Sequence, residues 1–114
     1  MPSIRQEKVA KLIQQELAII FQQHSRDMFK GAFITVTVVR MSPDLGVAKA
    51  FLSFFAPGKD TKDEFLELVR AQSSKIRGIL GNKVGKQLRI VPELVFYMDD
   101  SLDYADNIND LLKS

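Results

Sequence analysis

The chain has no cysteine, no tryptophan, one histidine and four prolines in 114 residues, and these shortages narrow its chemistry. Without cysteine there is no disulfide scaffold, thiolate nucleophile, iron–sulfur cluster or zinc site built on sulfur. A chain of this length buries roughly two-thirds of the surface it exposes when unfolded, so a core forms without such staples. No apolar run is longer than Leu17 to Phe21, against the roughly 18 residues a membrane helix needs. Met1-Pro2-Ser3-Ile4-Arg5 leads into a periodic helix with no apolar signal core or Arg/Ser-rich presequence, so the expected address is cytoplasmic, away from membranes. With 46% apolar and 26% charged residues the composition is that of one globular domain.

Catalytic signatures are also missing. There is no Walker-type phosphate loop and no Gly-x-Ser-x-Gly elbow. His24 falls at the end of the first helical pattern with no acidic partner fixed by spacing, which reads as a partly exposed helix cap rather than a base. The carboxylates Asp99, Asp100, Asp103, Asp106 and Asp110 lack the ligand spacing of a calcium loop. Neither an enzyme nor a metal or other cofactor is expected. Gly78-Ile79-Leu80-Gly81 fits the GxxG string of nucleotide-clamping loops, but its apolar middle continues a helical core stripe.

What the chain does have is an uneven distribution of charge. Residues 99–114 hold five acids against one base, whereas residues 1–98 carry a surplus of six positive charges. From Arg70 to Arg89 six bases (Arg70, Lys75, Arg77, Lys83, Lys86, Arg89) occur with no acid between them. A solvated helix face explains this in an arbitrary protein, yet it is also the footprint a polyanion requires.

Hydrophobic periodicity places the elements. Ser3-x-x-Gln6 is a capping box, and Val9, Leu12, Ile13, Leu17, Ile20 and Phe21 recur at helical spacing, predicting a helix over about 4–24 with Arg5, Lys8 and Lys11 along its polar side. Phe33 to Val39 and Val47 to Phe55 read as strands, joined into an antiparallel hairpin by Ser42-Pro43-Asp44-Leu45-Gly46. Ala48 and Ala50 on one face of the second strand point to a helix packed close against the sheet. Thr61-x-x-Glu64 is a second capping box, opening a helix whose stripe falters at Gln72-Ser73-Ser74, where a kink is expected, and Gly81 looks like the residue just past its end. Lys86 to Met98 reads as a third strand, at an edge or bulged at Pro92. The tail is polar until Ile108, Leu111 and Leu112, which offer one amphipathic turn. The expected fold is α+β, a three-stranded sheet with the helices on one face, in the order α-β-β-α(kink)α-β.

Five strings in order, Arg5 to Leu17, Ile34 to Val38, Ser42-Pro43-Asp44-Leu45 with Ala48-Lys49-Ala50, Ile76 to Gly81, and Leu88 to Leu94, resemble the ribosome-binding factor A family over roughly residues 4–101. The resemblance implies a single KH-like domain of the second type over residues 1–100, followed by a short acidic tail, 101–114. It further implies a monomeric, non-enzymatic factor that binds the free 30S small ribosomal subunit and its 16S rRNA during late maturation. Importance in the cold and release by a ribosome-associated GTPase are part of the same implication. In that family a helix–kink–helix with an Ala-x-Gly signature replaces the GxxG loop; here those positions read Gln72-Ser73-Ser74.

If the basic segment tracks rRNA phosphates, Arg70, Lys75, Arg77, Lys83, Lys86 and Arg89 supply the charge, with Arg5, Lys8 and Lys11 as a second contact. Arg77 and Arg89 lie inside matching strings and can pair phosphate bidentately. No aromatic pair at ribonucleoprotein-motif spacing appears on the strands, so RNA shape rather than base sequence is the expected readout. The alternative is a protein-interaction module that uses the third strand's edge or the acidic tail.

Overall fold

The structure, a computed structural model, describes residues 3–55 and 62–99. Helix α1 (Ile4–Gln23) is followed by a single helical turn, α2 (Ser25–Met28), the strands β1 (Phe33–Met41) and β2 (Val47–Phe55), the helices α3 (Lys62–Ala71) and α4 (Ser73–Val84), and strand β3 (Glu93–Met98). The sheet order is β1-β2-β3, with β1 antiparallel and β3 parallel to β2. The expected architecture is thus the observed one. Thr61 and the tail turn at 108–112 lie outside the described residues.

The capping box of α1 forms as the sequence predicts: the Gln6 amide donates to Ser3 Oγ at 3.1 Å and the Ser3 amide donates to Gln6 Oε1 at 2.8 Å. Behind it Val9, Ile13, Leu17, Ile20 and Phe21 face the core. Helix α1 packs chiefly on β1 and α4, and its side chains share one core with Ala48, Ala50, Leu52 and Phe54 of β2 and Ile76, Leu80 and Val84 of α4, so both helical layers lie on one face of the sheet. The two alanines are fully buried. Phe21 packs against Phe29 and edge-on against Phe96, which ties the first helix to the last strand. Each fully buried side chain of this size contributes roughly 1.5–3 kcal/mol.

Polar side chains from the helices guard both rims of the sheet. On β1, a bulge between Val36 and Val38 leaves Thr37 extra; Gln14 Nε2 donates to the carbonyls of Val36 and Thr37, and Gln6 Nε2 to that of Met41. On β3, Arg70 donates from Nε and Nη2 to the Phe96 carbonyl. Unpaired strand edges invite pairing with other chains, and these contacts occupy the groups that would do it.

Three sequence expectations are corrected. Helix α4 does not stop at Gly81 but runs to Val84, with Gly85 as its cap; a Cβ on Gly85 would lie 2.7 Å from the Gly81 carbonyl oxygen. The third strand begins at Glu93 rather than Lys86, because the amides of Gln87 and Leu88 turn back onto the Val84 carbonyl, each at 2.9 Å. Lys86 and Arg89 therefore lie on a loop, not a strand. His24 does cap α1, but it has a partner: its Nδ1 lies 3.0 Å from Asp27 Oδ2.

Candidate nucleic-acid interface

The break between α3 and α4 falls at Gln72, and its side chain explains how the chain turns there without the small residues the resemblance implies. Gln72 Nε2 donates to the Met28 carbonyl at 2.8 Å and to the Leu68 carbonyl at 3.3 Å. One contact anchors the kink to the end of α2 and the other satisfies the last turn of α3. Gln72 also serves as the backbone cap of α4, its carbonyl accepting from the Ile76 amide. Ser73 and Ser74 then form the first turn of α4, whose amides lack earlier helical partners.

Helix α4 sets the direction of the cations. Its buried residues, Ile76, Leu80 and Val84, define one side, and at about 100° per residue Lys75, Gly78 and Asn82 run along the opposite crest. Lys83 leaves on one flank and Arg77 on the other, about 120° apart. Arg77 leans over the loop before β3, donating from Nε to the Pro92 carbonyl at 3.1 Å and from Nη2 to the Val91 carbonyl at 2.7 Å. Arg70 is more committed still: besides the Phe96 carbonyl, its Nη1 meets Glu67 Oε1 at 3.1 Å. Both guanidiniums are stitched into the fold, which limits the bidentate pairing open to them.

The other cations stay available. Lys75, Lys83, Lys86 and Arg89 are exposed and none has a hydrogen-bonded or ion-paired partner among the described residues. Lys75 lies near enough to Asp27 to help hold that carboxyl below its ordinary value, although the His24 hydrogen bond is the larger cause. Arg89 meets Arg5 of α1 across a cleft of about 360 Å³, floored by Val9, Leu88 and Pro92 and rimmed by Asp44, Leu45 and Gly46 of the hairpin turn. The two arginines share the cleft with one carboxylate, Asp44, whose Oδ1 accepts from the Ser42 hydroxyl and the Gly46 amide. Lys8 and Lys11 continue along the outer side of α1, one and two turns beyond Arg5, and are exposed.

Sequence reading missed two parts of this site. Ile90, next to Arg89, is 72% exposed at the loop tip, a position that the mistaken strand assignment hid. The hairpin turn joins the cleft only because the Glu93 amide donates to the Gly46 carbonyl at 2.9 Å, a contact across 47 residues of chain that no local pattern encodes. The GxxG string, by contrast, lies inside α4 with Leu80 fully buried, so it makes no clamping loop.

Among the described residues no group of three or more His, Asp or Glu side chains is placed to hold a metal ion, and no helix is long and apolar enough to cross a membrane. The edge of β3, one of the two sites the interaction-module reading offers, has its Phe96 carbonyl taken by Arg70, and the acidic tail, the other, lies outside the described residues.

Comparison with known proteins bears on the family and the fold. The chain is 46% identical over 112 residues to ribosome-binding factor A of Cytophaga hutchinsonii, covering 98% of this chain and 83% of that one. It is 40% identical over 111 residues to ribosome-binding factor A of Chlorobium phaeobacteroides, covering 97% and 93%. Its fold matches the crystal structure of ribosome-binding factor A from Thermus thermophilus with a TM-score of 0.67 at 19% identity, over 82% of this chain and 94% of that one. A solution structure from Thermotoga maritima matches with a TM-score of 0.61 at 24% identity, over 85% and 89%. The family model described as ribosome-binding factor A aligns with residues 5–112, and the chain belongs to that family.

Proposed function

We propose that this protein is a non-enzymatic assembly factor that binds the free 30S subunit through its 16S rRNA late in maturation. The observation that supports the reading is the cleft lined by both Arg5 and Arg89, next to which the segment from Arg70 to Arg89, with Lys83 and Lys86, carries no acid. Phosphate oxygens of a folded RNA fit between such cations, and recognition is by the spacing of the backbone rather than by base edges. No bond is made or broken: the factor holds an immature conformation and leaves when its site changes, which population shift accomplishes. Importance in the cold follows from the same role, because misfolded RNA rearranges more slowly at low temperature. A ribosome-associated GTPase as the release agent, action as a monomer and a cytoplasmic address complete the proposal.

Co-sedimentation with isolated 30S, 50S and joined subunits at two salt concentrations tests it. Migration with free 30S subunits that weakens with salt is the expected result, and Arg89→Gln together with Lys83→Gln should release the protein while leaving its fold intact. Equal migration with all particles, or none with any, rejects the reading.

A further inference from the structure

The sheet face turned away from the helices is not built as a solvated face. Reading across the strands, Arg40 lies opposite Lys49, Val38 opposite Phe51 and Phe51 opposite Tyr97, Thr35 opposite Ser53, and Phe33 opposite Phe55. Successive rows on one face are two residues apart, about 6.5–7 Å along the strands. Phe51 and Tyr97 stack with ring centroids 5.4 Å apart and planes at 25°. Phe33 and Phe55 are 67% and 71% exposed, and Tyr97 is 37% exposed.

Two features of this face work against stability. An antiparallel face open to water is ordinarily polar, yet this one shows four aromatic rings. Arg40 and Lys49 are like charges directly opposite on neighbouring strands, an arrangement that destabilises a sheet, and neither has an ion-pair partner among the described residues. A protein partner accounts for the rings but not for the cation pair. A polyanion that presents flat apolar faces accounts for both. We infer that the open sheet face is a second RNA site, which takes a single-stranded segment with bases against Phe51 and Tyr97 and phosphates over Arg40 and Lys49.

The cations set the path of that strand. Arg40 and Lys49 lie on β1 and β2, so the phosphates run there and the bases reach across to Phe51 and Tyr97, while the Asp99 carboxylate already accepts from the Thr37 hydroxyl of β1. Thr35 and Ser53 offer hydroxyls in the next row, before the Phe33 and Phe55 pair. A duplex keeps its bases stacked inside and has no faces to offer these rings, so the site selects unpaired RNA. The helix-side cleft and this face lie on opposite sides of the sheet, so one molecule can hold two RNA segments at once.

The test is a titration of the full chain with a fluorescently labelled single-stranded RNA hexamer, beside a hairpin duplex carrying the same label. The hexamer should bind more tightly than the duplex. Tyr97→Leu and Phe51→Leu should each weaken it on the order of tenfold. Arg40→Gln with Lys49→Gln, both exposed positions, should weaken it similarly and flatten its salt dependence. If Phe51→Leu fails to fold, the exposed Arg40 and Lys49 pair still decides the matter. Hexamer binding that ignores every sheet variant, that shows no preference over duplex, or that does not occur would overturn the assignment. Because the hexamer assay contains no ribosome, a protein that fails to sediment with 30S subunits but binds the hexamer through its sheet loses only the ribosomal reading.

Discussion

Asp44 and Leu45 show how much of the hairpin turn is held by short-range contacts. Asp44 Oδ1 accepts from the Ser42 hydroxyl at 2.6 Å and from the Gly46 amide at 3.0 Å, which, in that order, hold its carboxyl below its ordinary value. A carboxyl depressed in the folded state adds stability above its unfolded value of 3.8, and that contribution is lost as pH falls through the folded value. Asp44→Ala should therefore lower the melting temperature at pH 7, and the gap from wild type should narrow at pH 3. Leu45, not Gly46, takes the left-handed conformation, at φ 62°, because its side chain is drawn in against the core. Lys30 adopts φ 53° without that compensation, since its side chain is exposed. The left-handed conformation costs a non-glycine residue roughly 1–2 kcal/mol, against about 0.4–1 kcal/mol of extra chain entropy for glycine. Lys30→Gly should stabilise the protein by about 0.5–1 kcal/mol in a denaturant titration.

Among the elements, α4 carries the clearest test. Gly78 lies on its exposed crest, where an added Cβ meets nothing within 4 Å, so no packing reason requires glycine there. Alanine in a helix interior is favoured over glycine by about 1 kcal/mol. Gly78→Ala should raise the melting temperature by several degrees, read by thermal unfolding followed by circular dichroism. The elements that were legible in the sequence are those whose causes are local. The capping box at Ser3 and Gln6, the alternation of Ala48, Ala50, Leu52 and Phe54, and the interruption at Gln72 all lie within a few residues of what they determine. The start of β3 was misjudged because Leu88, Ile90 and Val91 look like strand residues in isolation. The Val84 carbonyl holds back the Gln87 and Leu88 amides, and Arg77, from 14 and 15 residues away, holds the Val91 and Pro92 carbonyls. The Phe51 and Tyr97 stack was illegible for the same reason: its partners become neighbours only when β3 pairs with β2.

Over the whole molecule, the six-charge surplus of residues 1–98 is divided by the sheet: the acid-free segment and α1 supply one side, Arg40 and Lys49 the other. About six phosphate contacts predict that the logarithm of the 30S binding constant falls with the logarithm of salt with a slope of roughly −4 to −5. Neutralising Lys83, Lys86 or Arg89 singly should reduce that slope by about 0.7–0.9, whereas Arg70→Gln, which loses the Phe96 carbonyl contact, should cost stability more than slope. The parallel pairing of β3 with β2 also bears on how the protein is made. Helix α1 and the β1–β2 hairpin are complete by residue 55, but the strand that closes the sheet ends at Met98 and must wait for α3 and α4 to cross over. During synthesis the β2 edge stays unpaired until nearly the whole described chain has been translated. Translation slowed in the cold lengthens that interval, and with it the time for which the unpaired edge is open to misassembly.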